Sequence, residues 1–286
     1  MRAESKFNKI YVIESLGPND LHAASRLYND IIKWETQKLK GLHCEFFHIQ
    51  NSSELHSLFI KIAEETKINR KYPILHMDFH GSKKGFSLGS GKIMEWEELF
   101  FHFREINIAC RNNLLITLAA CYGVYLTQIV KPTEPVPFWG LIAPNKGIRQ
   151  GDIDLDFKNF YEELLTSLNG DKALEKLILA KHSAAQKYSF HNCINLYRIA
   201  YSNYHRRFCT GKNVKKRIED LITRARSTPS LIRMPIGDVR KKVKYEIRKN
   251  EREYFEKCRK IFFMIDIYPE NDARFKLMLE DEINEG

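Results

Sequence analysis

An α/β fold, a mainly parallel sheet flanked by helices in three layers with a basic helical C-terminal extension, is what this 286-residue chain predicts. Three observations carry the prediction. From residue 9 to about 170, short β-rich apolar runs alternate with runs of helical period, the order of a parallel sheet with helices on its faces. Beyond Asp171 the pattern turns helical almost throughout. Charge divides at the same place: residues 1–180 hold 22 Lys+Arg against 22 Asp+Glu, so the whole net charge of +10 lies further on. That asymmetry sets an expected boundary between residues 1–187 and 188–286.

In chain order, residues 9–16 (Lys-Ile-Tyr-Val-Ile-Glu-Ser-Leu) form a β-rich opening strand. Gly17-Pro-Asn-Asp20 is a turn, with Asp20 a candidate helix cap. A helix over 21–40 follows, with Leu27, Ile31 and Trp34 at helical spacing and Gly41 stopping it. Residues 43–49 read as a second strand, and Asn51-Ser-Ser53 opens a helix to about Asn69. Pro73-Ile-Leu-His-Met-Asp-Phe-His80-Gly81 is the third strand. Residues 86–94 suggest a small hairpin turning at Gly89-Ser-Gly91, and Glu95 starts a helix with acidic residues in its first turn. The next strand lies within Asn113-Leu-Leu-Ile-Thr-Leu-Ala-Ala-Cys121-Tyr-Gly123, and another within 136–143. Residues 156–168 form an amphipathic helix closed by Gly170. In the extension, breaks fall at 210–213, 227–230 and 234–237, ahead of a long charged helix over 239–265 and an acidic tail at 280–285.

Composition excludes several classes. No run approaches the ~20 apolar residues of a membrane span, so no membrane partner is expected, and the first residues lack the apolar core of a signal peptide. Six scattered cysteines fit a reducing cytoplasm better than a disulfide framework. They never pair as Cys-x-x-Cys, no phosphate-binding Gly-x-x-x-x-Gly-Lys loop occurs, and Asp152, Asp154 and Asp156 lack the spacing of a calcium loop. No metal and no cofactor are therefore expected.

Two strands each deliver one reactive residue. If the strands ending in His80-Gly81 and Cys121-Tyr-Gly123 lie parallel and adjacent, His80 and Cys121 emerge together at the carboxyl edge, where open α/β sheets place their sites. An imidazole beside a thiol is a base beside a nucleophile. Gly81 and Gly123 would let backbone approach a substrate closely. Asp78, two residues before His80, shares its face, either lining a pocket for a basic substrate side chain or capping a loop.

His80-Gly81 after one strand and Ala119-Ala-Cys-Tyr-Gly123 after a later one resemble the caspase-like cysteine peptidases, the group that includes metacaspases and separase-type domains. The caspase signature is Gln-Ala-Cys-x-Gly with its histidine roughly 50 residues upstream. Here the separation is 41 residues and Ala119 stands in place of the Gln, and Leu75-His-Met-Asp-Phe-His-Gly81 is closer to the bacterial members. The resemblance runs from about Lys9 to Lys187, and the strand followed by the Phe-Tyr-containing helix at 156–168 resembles the small-subunit half of such domains.

The resemblance implies an endopeptidase acting on protein substrates, with Cys121 as nucleophile, His80 as base and then acid, and the N–H groups of Gly81 and Cys121 as oxyanion hole. It also implies a signal-gated effector, as in bacterial antiviral defence. Only residues 124–135 separate the Cys121 turn from the next strand, too short for a generous cleavable linker, so one uncut active chain is expected. Residues 198–260 carry 20 basic and 7 acidic residues, so an anionic partner captured around Arg240, Lys241 and Lys242 is expected; the resemblance makes a nucleotide-type activator the leading candidate, with nucleic acid second. Two other readings stand beside these: an inactive scaffold whose basic helices bind nucleic acid or a nucleotide, and a ribonuclease using Arg198 and His205, spaced like the Arg-x6-His pair of a helical ribonuclease family. The bland reading of the long charged helix is a solvated face, since Glu246, Glu251, Glu253 and Glu256 interleave its cations.

Overall fold

The computed structural model describes residues 5–178, 187–208, 211–225 and 234–277. They fall into two compact units, one comprising residues 1–130 and 136–193, the other residues 131–135 and 194–286.

The first unit is built on a mixed, mostly parallel sheet. Its strands are β1 (Lys9–Ser15), β2 (His43–His48), β3 (Pro73–Gly81), β6 (Leu115–Ala119), β7 (Gly140–Pro144) and β8 (Tyr188–Asn192), in the spatial order β2-β1-β3-β6-β7-β8. All neighbours run parallel except β8, which is antiparallel to β7. The short strands β4 (Gly85–Ser87) and β5 (Ile93–Glu95) form the expected hairpin, and β4 pairs with the last two residues of β3. β1 is buried along its whole length, the behaviour of a central parallel strand covered on both faces.

Helices cover the two faces. On one side α1 (Ala23–Leu27), α2 (Lys33–Lys38), α5 (Gln150–Ser167) and α6 (Gly170–Ile178) pack over Ile10, Val12, Ile74 and Ile142 through Leu27, Ile32, Phe157, Phe160 and Leu164. Strand alternation turns Tyr11, Ile13, Leu75, Met77, Ile116 and Leu118 to the other face. There α3 (Ser52–Asn69) and α4 (Trp96–Ala109) pack on each other, with Phe59 meeting Phe103 edge-on. Both start as the sequence indicates: the Asn51 side chain accepts the Glu54 N–H, and Glu95 and Glu98 form a reciprocal capping box.

Four details differ from expectation. A single π-helical turn, Tyr28–Ile32, joins α1 to α2 and shifts the helical phase. The buried face therefore continues through Ile31, Ile32 and Thr36, while Trp34 is left exposed. The helix expected from 156 begins at Gln150, and Leu168, in the left-handed region at φ 52°, closes it in place of Gly170, which opens α6. The run at 136–139, with Val136 and Phe138 buried, precedes β7 instead of belonging to it. Finally, β8 is a strand where only helix was expected.

The second unit is helical among its described residues: α7 (Cys193–Phe208, whose first residue still belongs to the first unit), α8 (Gly211–Ala225), α9 (Ile236–Phe262) and α10 (Glu270–Arg274). Its core is aromatic, with Tyr197 packed against Phe255, Phe262 and Phe263 and donating its hydroxyl hydrogen to the Phe255 carbonyl. The expected break at 227–230 and the acidic tail at 280–285 lie outside the described residues. Among the described residues no helix is long and apolar enough to cross a membrane.

Candidate active site

The parallel pairing of β3 with β6 sets Asp78 opposite Ala119. The pairing stops there, because the chain leaves β6 after Ala119, and His80 and Cys121 follow at the two strand ends. Gly81 shows how closely the two ends approach. A Cβ built on it would stand 2.1 Å from the Cys121 carbonyl oxygen and 2.9 Å from the Cys121 nitrogen. Only glycine leaves room for that contact.

After Ala119 the chain turns sharply. Tyr122 adopts φ 60°, a left-handed conformation uncommon for a bulky residue, and Gly123 N–H closes the turn on the Ala120 carbonyl at 3.0 Å. A 3-10 run, Gly123–Ile129, leads away. Cys121 thus sits at the top of a strand–turn–helix elbow, half-buried, with a free thiol. Its Sγ accepts the Ile148 N–H at 3.4 Å, and its S–H donates toward the Ile148 carbonyl at 3.5 Å. The loop between β7 and α5 therefore lines the thiol, and its N–H is a donor suited to a thiolate. Gly123 is also needed small for packing: a Cβ there would meet Leu118 Cδ2 at 2.7 Å and Ala143 Cβ at 3.2 Å beneath the turn.

His80 is half-exposed, and its Nε2 lies 2.9 Å from Asp20 Oδ2. With Nε2 held there, Nδ1 is the nitrogen left to exchange a proton with a neighbouring thiol. Asp20 is fixed in turn by Gly17, whose N–H donates to Oδ2 at 2.8 Å. The Asp20 carboxyl is held below the ordinary carboxylate range, first by its hydrogen bond to His80 and next by that to Gly17. The sequence suggested Asp20 only as a helix cap. Its partnership with His80, 60 residues away, depends on the β1–α1 loop folding over the end of β3 and has no local signal.

Asp78 takes the place that Asp20 was expected to fill. It is buried, and its Oδ2 accepts the Ala24 N–H at 3.1 Å, capping α1 from a neighbouring strand. Burial, and next the Glu14 carboxylate, push its carboxyl up to about 8, so it carries its proton at neutral pH. It lines a cavity of about 10 Å³, the room of a single water, with Ala23, Leu27, His76 and Phe157. His76 is buried beside it, bonded to Thr117, and burial drives it down to about 3, which keeps it neutral.

The remaining candidates sit elsewhere. Arg240 of α9 pairs with Glu219 of α8 at 2.9 Å and Lys241 reaches Asp238 at 3.7 Å, while Lys242 is exposed. Arg198 and His205 share the face of α7, and His205 Nε2 lies 2.6 Å from the Glu251 carboxylate. Asp152 and Asp156 share the Lys187 ammonium, at 3.6 and 3.4 Å, while Asp154 pairs with Arg26, so the three do not meet at one point.

The α/β unit, with its mainly parallel sheet flanked by helices, is compatible with a caspase-like fold. No family model matches the chain, and no curated protein matches its sequence.

Proposed function

We propose that the chain is a cysteine endopeptidase in which Cys121, His80 and Asp20 act together. The observation that supports this reading is the close approach of the two strand ends at the carboxyl edge of the sheet, where a Cβ on Gly81, the residue after His80, would stand 2.1 Å from the Cys121 carbonyl oxygen. In the proposed cycle His80 takes the Cys121 proton on Nδ1, and the thiolate adds to the peptide carbonyl carbon. The carbonyl oxygen, now carrying the electron pair, is received by the N–H groups of Gly81 and Cys121. The His80 proton passes to the leaving amine, leaving a thioester that water cleaves with His80 again as base. Asp20 holds the imidazole in one tautomer and stabilises its charged form, as an orienting carboxylate does in other triads.

The chain would work uncut, because the short segment after the elbow is folded as the 3-10 run. Gating by an anion on the basic second unit belongs to the same proposal. The measurement for it is a shift in melting temperature on adding nucleotides, weakened by charge reversal at Arg240, Lys241 and Lys242.

The peptidase reading is tested by alkylation with an electrophilic peptide, read by mass spectrometry at each cysteine. Cys110, Cys193 and Cys258 are buried, so Cys44, bonded to Thr36, is the natural internal comparison among the described residues. Cys121 is expected to react much faster than Cys44 and to lose that preference in His80→Ala. Equal rates in the wild type would refute the reading and favour an inactive scaffold.

A further inference from the structure

Beside the proposed triad, on the other flank of the β1–α1 loop, a second cluster has no part in that chemistry. Glu14 near the end of β1, His22 just before α1 and His48 at the end of β2 place their ligand atoms within 4.8 Å of one another. Both imidazoles present Nδ1 to the same carboxylate oxygen: Glu14 Oε2 lies 2.7 Å from His22 Nδ1 and 3.3 Å from His48 Nδ1. We propose that these three residues bind a divalent transition-metal ion of the zinc class, which ties the loop carrying Asp20 to the sheet edge.

The surroundings are those of a ligand set held in place. Glu14 is almost fully buried, and its other oxygen, Oε1, is already engaged by the Ser25 N–H at 3.1 Å, so Oε2 is the one turned to the histidines. The far nitrogen of His48, Nε2, meets the Gln50 side-chain amide. An amide can turn its oxygen to that nitrogen, accept the Nε2–H and leave Nδ1 as a lone pair. The two rings are each more than one-third exposed, so an ion has a way in and a water can complete the shell. Two imidazoles and one carboxylate with an open position is a recognised zinc set. Donors about 2.0–2.1 Å from a tetrahedral ion stand about 3.3 Å apart, the distance His48 Nδ1 already keeps from Glu14 Oε2, and His22 Nδ1 would withdraw from that oxygen by about half an ångström. Without an ion, one carboxylate oxygen serves two rings, a poorer arrangement than one shared cation would give all three.

The consequence for the site follows from chain distance. His22 is two residues from Asp20 along the same loop. An ion fixed to His22 would hold the loop in the position that lets Asp20 reach His80. This consequence rests on the peptidase reading; the binding of the ion does not.

The test uses the full chain, stripped with a chelator and desalted, then titrated with Zn2+ against a chromophoric chelator and separately with Co2+. One equivalent is expected to bind and to raise the melting temperature. The Co2+ form is expected to show visible bands without a thiolate charge-transfer band. His48→Ala and Glu14→Gln should abolish that equivalent, and Gln50→Ala should weaken it by about tenfold or more. Cys121→Ala should retain it. His48 is half-exposed, so His48→Ala gives an answer even if Glu14→Gln fails to fold. No binding to the wild type, or binding that survives in His48→Ala, overturns the proposal. So does binding lost in Cys121→Ala, which would put the ion on the Cys121–His80 pair. None of these readouts needs proteolysis, so failure of the peptidase reading would leave them interpretable.

Discussion

Replacing Gly81 with alanine tests the juxtaposition of the two strand ends by one added methyl group. That methyl would stand 2.1 Å from the Cys121 carbonyl oxygen, 2.9 Å from its nitrogen and 3.0 Å from Ala120 Cβ. The first two contacts are to backbone, which cannot swing aside as a side chain can. One strand end must retreat, by roughly 1 Å, before the overlap is relieved. A misplacement of about 1 Å between reacting groups costs on the order of 10²-fold in rate, about 2.7 kcal/mol of barrier. Overpacking of this kind also costs about 1–3 kcal/mol of stability. The assay is the second-order rate of Cys121 alkylation by an electrophilic peptide, run well below the variant's melting temperature. Gly151→Ala, where an added Cβ meets nothing within 4 Å, is the control for a harmless glycine replacement. A folded Gly81→Ala protein that alkylates within about twofold of wild type would refute the reasoning, since the strand ends would then not need this approach.

Cys121→Ala is expected to abolish peptide cleavage and leave the melting temperature nearly unchanged, because a half-buried thiol at a strand end leaves little cavity; cleavage at the wild-type rate would exclude Cys121 as nucleophile. Asp20→Asn should slow Cys121 alkylation by about tenfold or more, since the His80 charge loses its partner. The same variant bears on acid stability. Asp20 is held low when folded, so its contribution is present above the ordinary carboxylate range and lost as pH falls through its folded value. Asp20→Asn should shed that acid-side loss, read by melting temperature against pH. Asp78 has the opposite sign. Its carboxyl is raised to about 8, so the stability it confers is full below the ordinary value near 3.8 and fades as pH rises toward 8. Asp78→Asn, which still offers an oxygen to Ala24, should flatten urea stability between those limits, and an unchanged slope would show that Asp78 ionises freely.

How much of this was legible in the sequence depended on the range of each cause. The strands at 73–81 and 115–119 were marked by apolar β-formers, and their parallel pairing followed from the alternation with helices. That was enough to expect the two strand ends together, and Gly81 does close on the Cys121 backbone. The elbow was legible in Cys121-Tyr-Gly123, yet the strained residue proved to be Tyr122, because Gly123 is needed small against Leu118 and Ala143. β8 was missed because Tyr188-Ser-Phe-His-Asn192 is short and mostly half-buried at the sheet edge, so it lacks a strong apolar alternation. Asp20 as a partner of His80 and Asp78 as a helix cap exchange the roles that their local contexts suggested. Both depend on how the β1–α1 loop closes over the sheet, a tertiary fact with no period in the chain.

Glu14, Asp20 and Asp78 bring three carboxyl groups to one sheet edge, and their environments push Asp20 and Asp78 in opposite directions. Pairs of acids pushed apart in this way mark a division of labour. Asp20 is partly exposed, bonded to an imidazole, and held below the ordinary range; it stays charged and can support a charged His80 through a reaction cycle. Asp78 is enclosed and raised by burial and by Glu14, so it is a proton-bearing group that fixes the start of α1. A neutral, enclosed acid is a poor counter-ion for a lysine or arginine side chain, because the pair would need both desolvation of the cation and loss of the Asp78 proton. The interior cavity beside it holds no more than a water. The choice left open by strand alternation, between a specificity pocket and a structural cap, therefore falls to the cap. In the proposed peptidase, selection among peptide substrates would then come from groups that reach solvent around the elbow, such as Lys83, whose ammonium lies 5.7 Å from the Tyr122 ring.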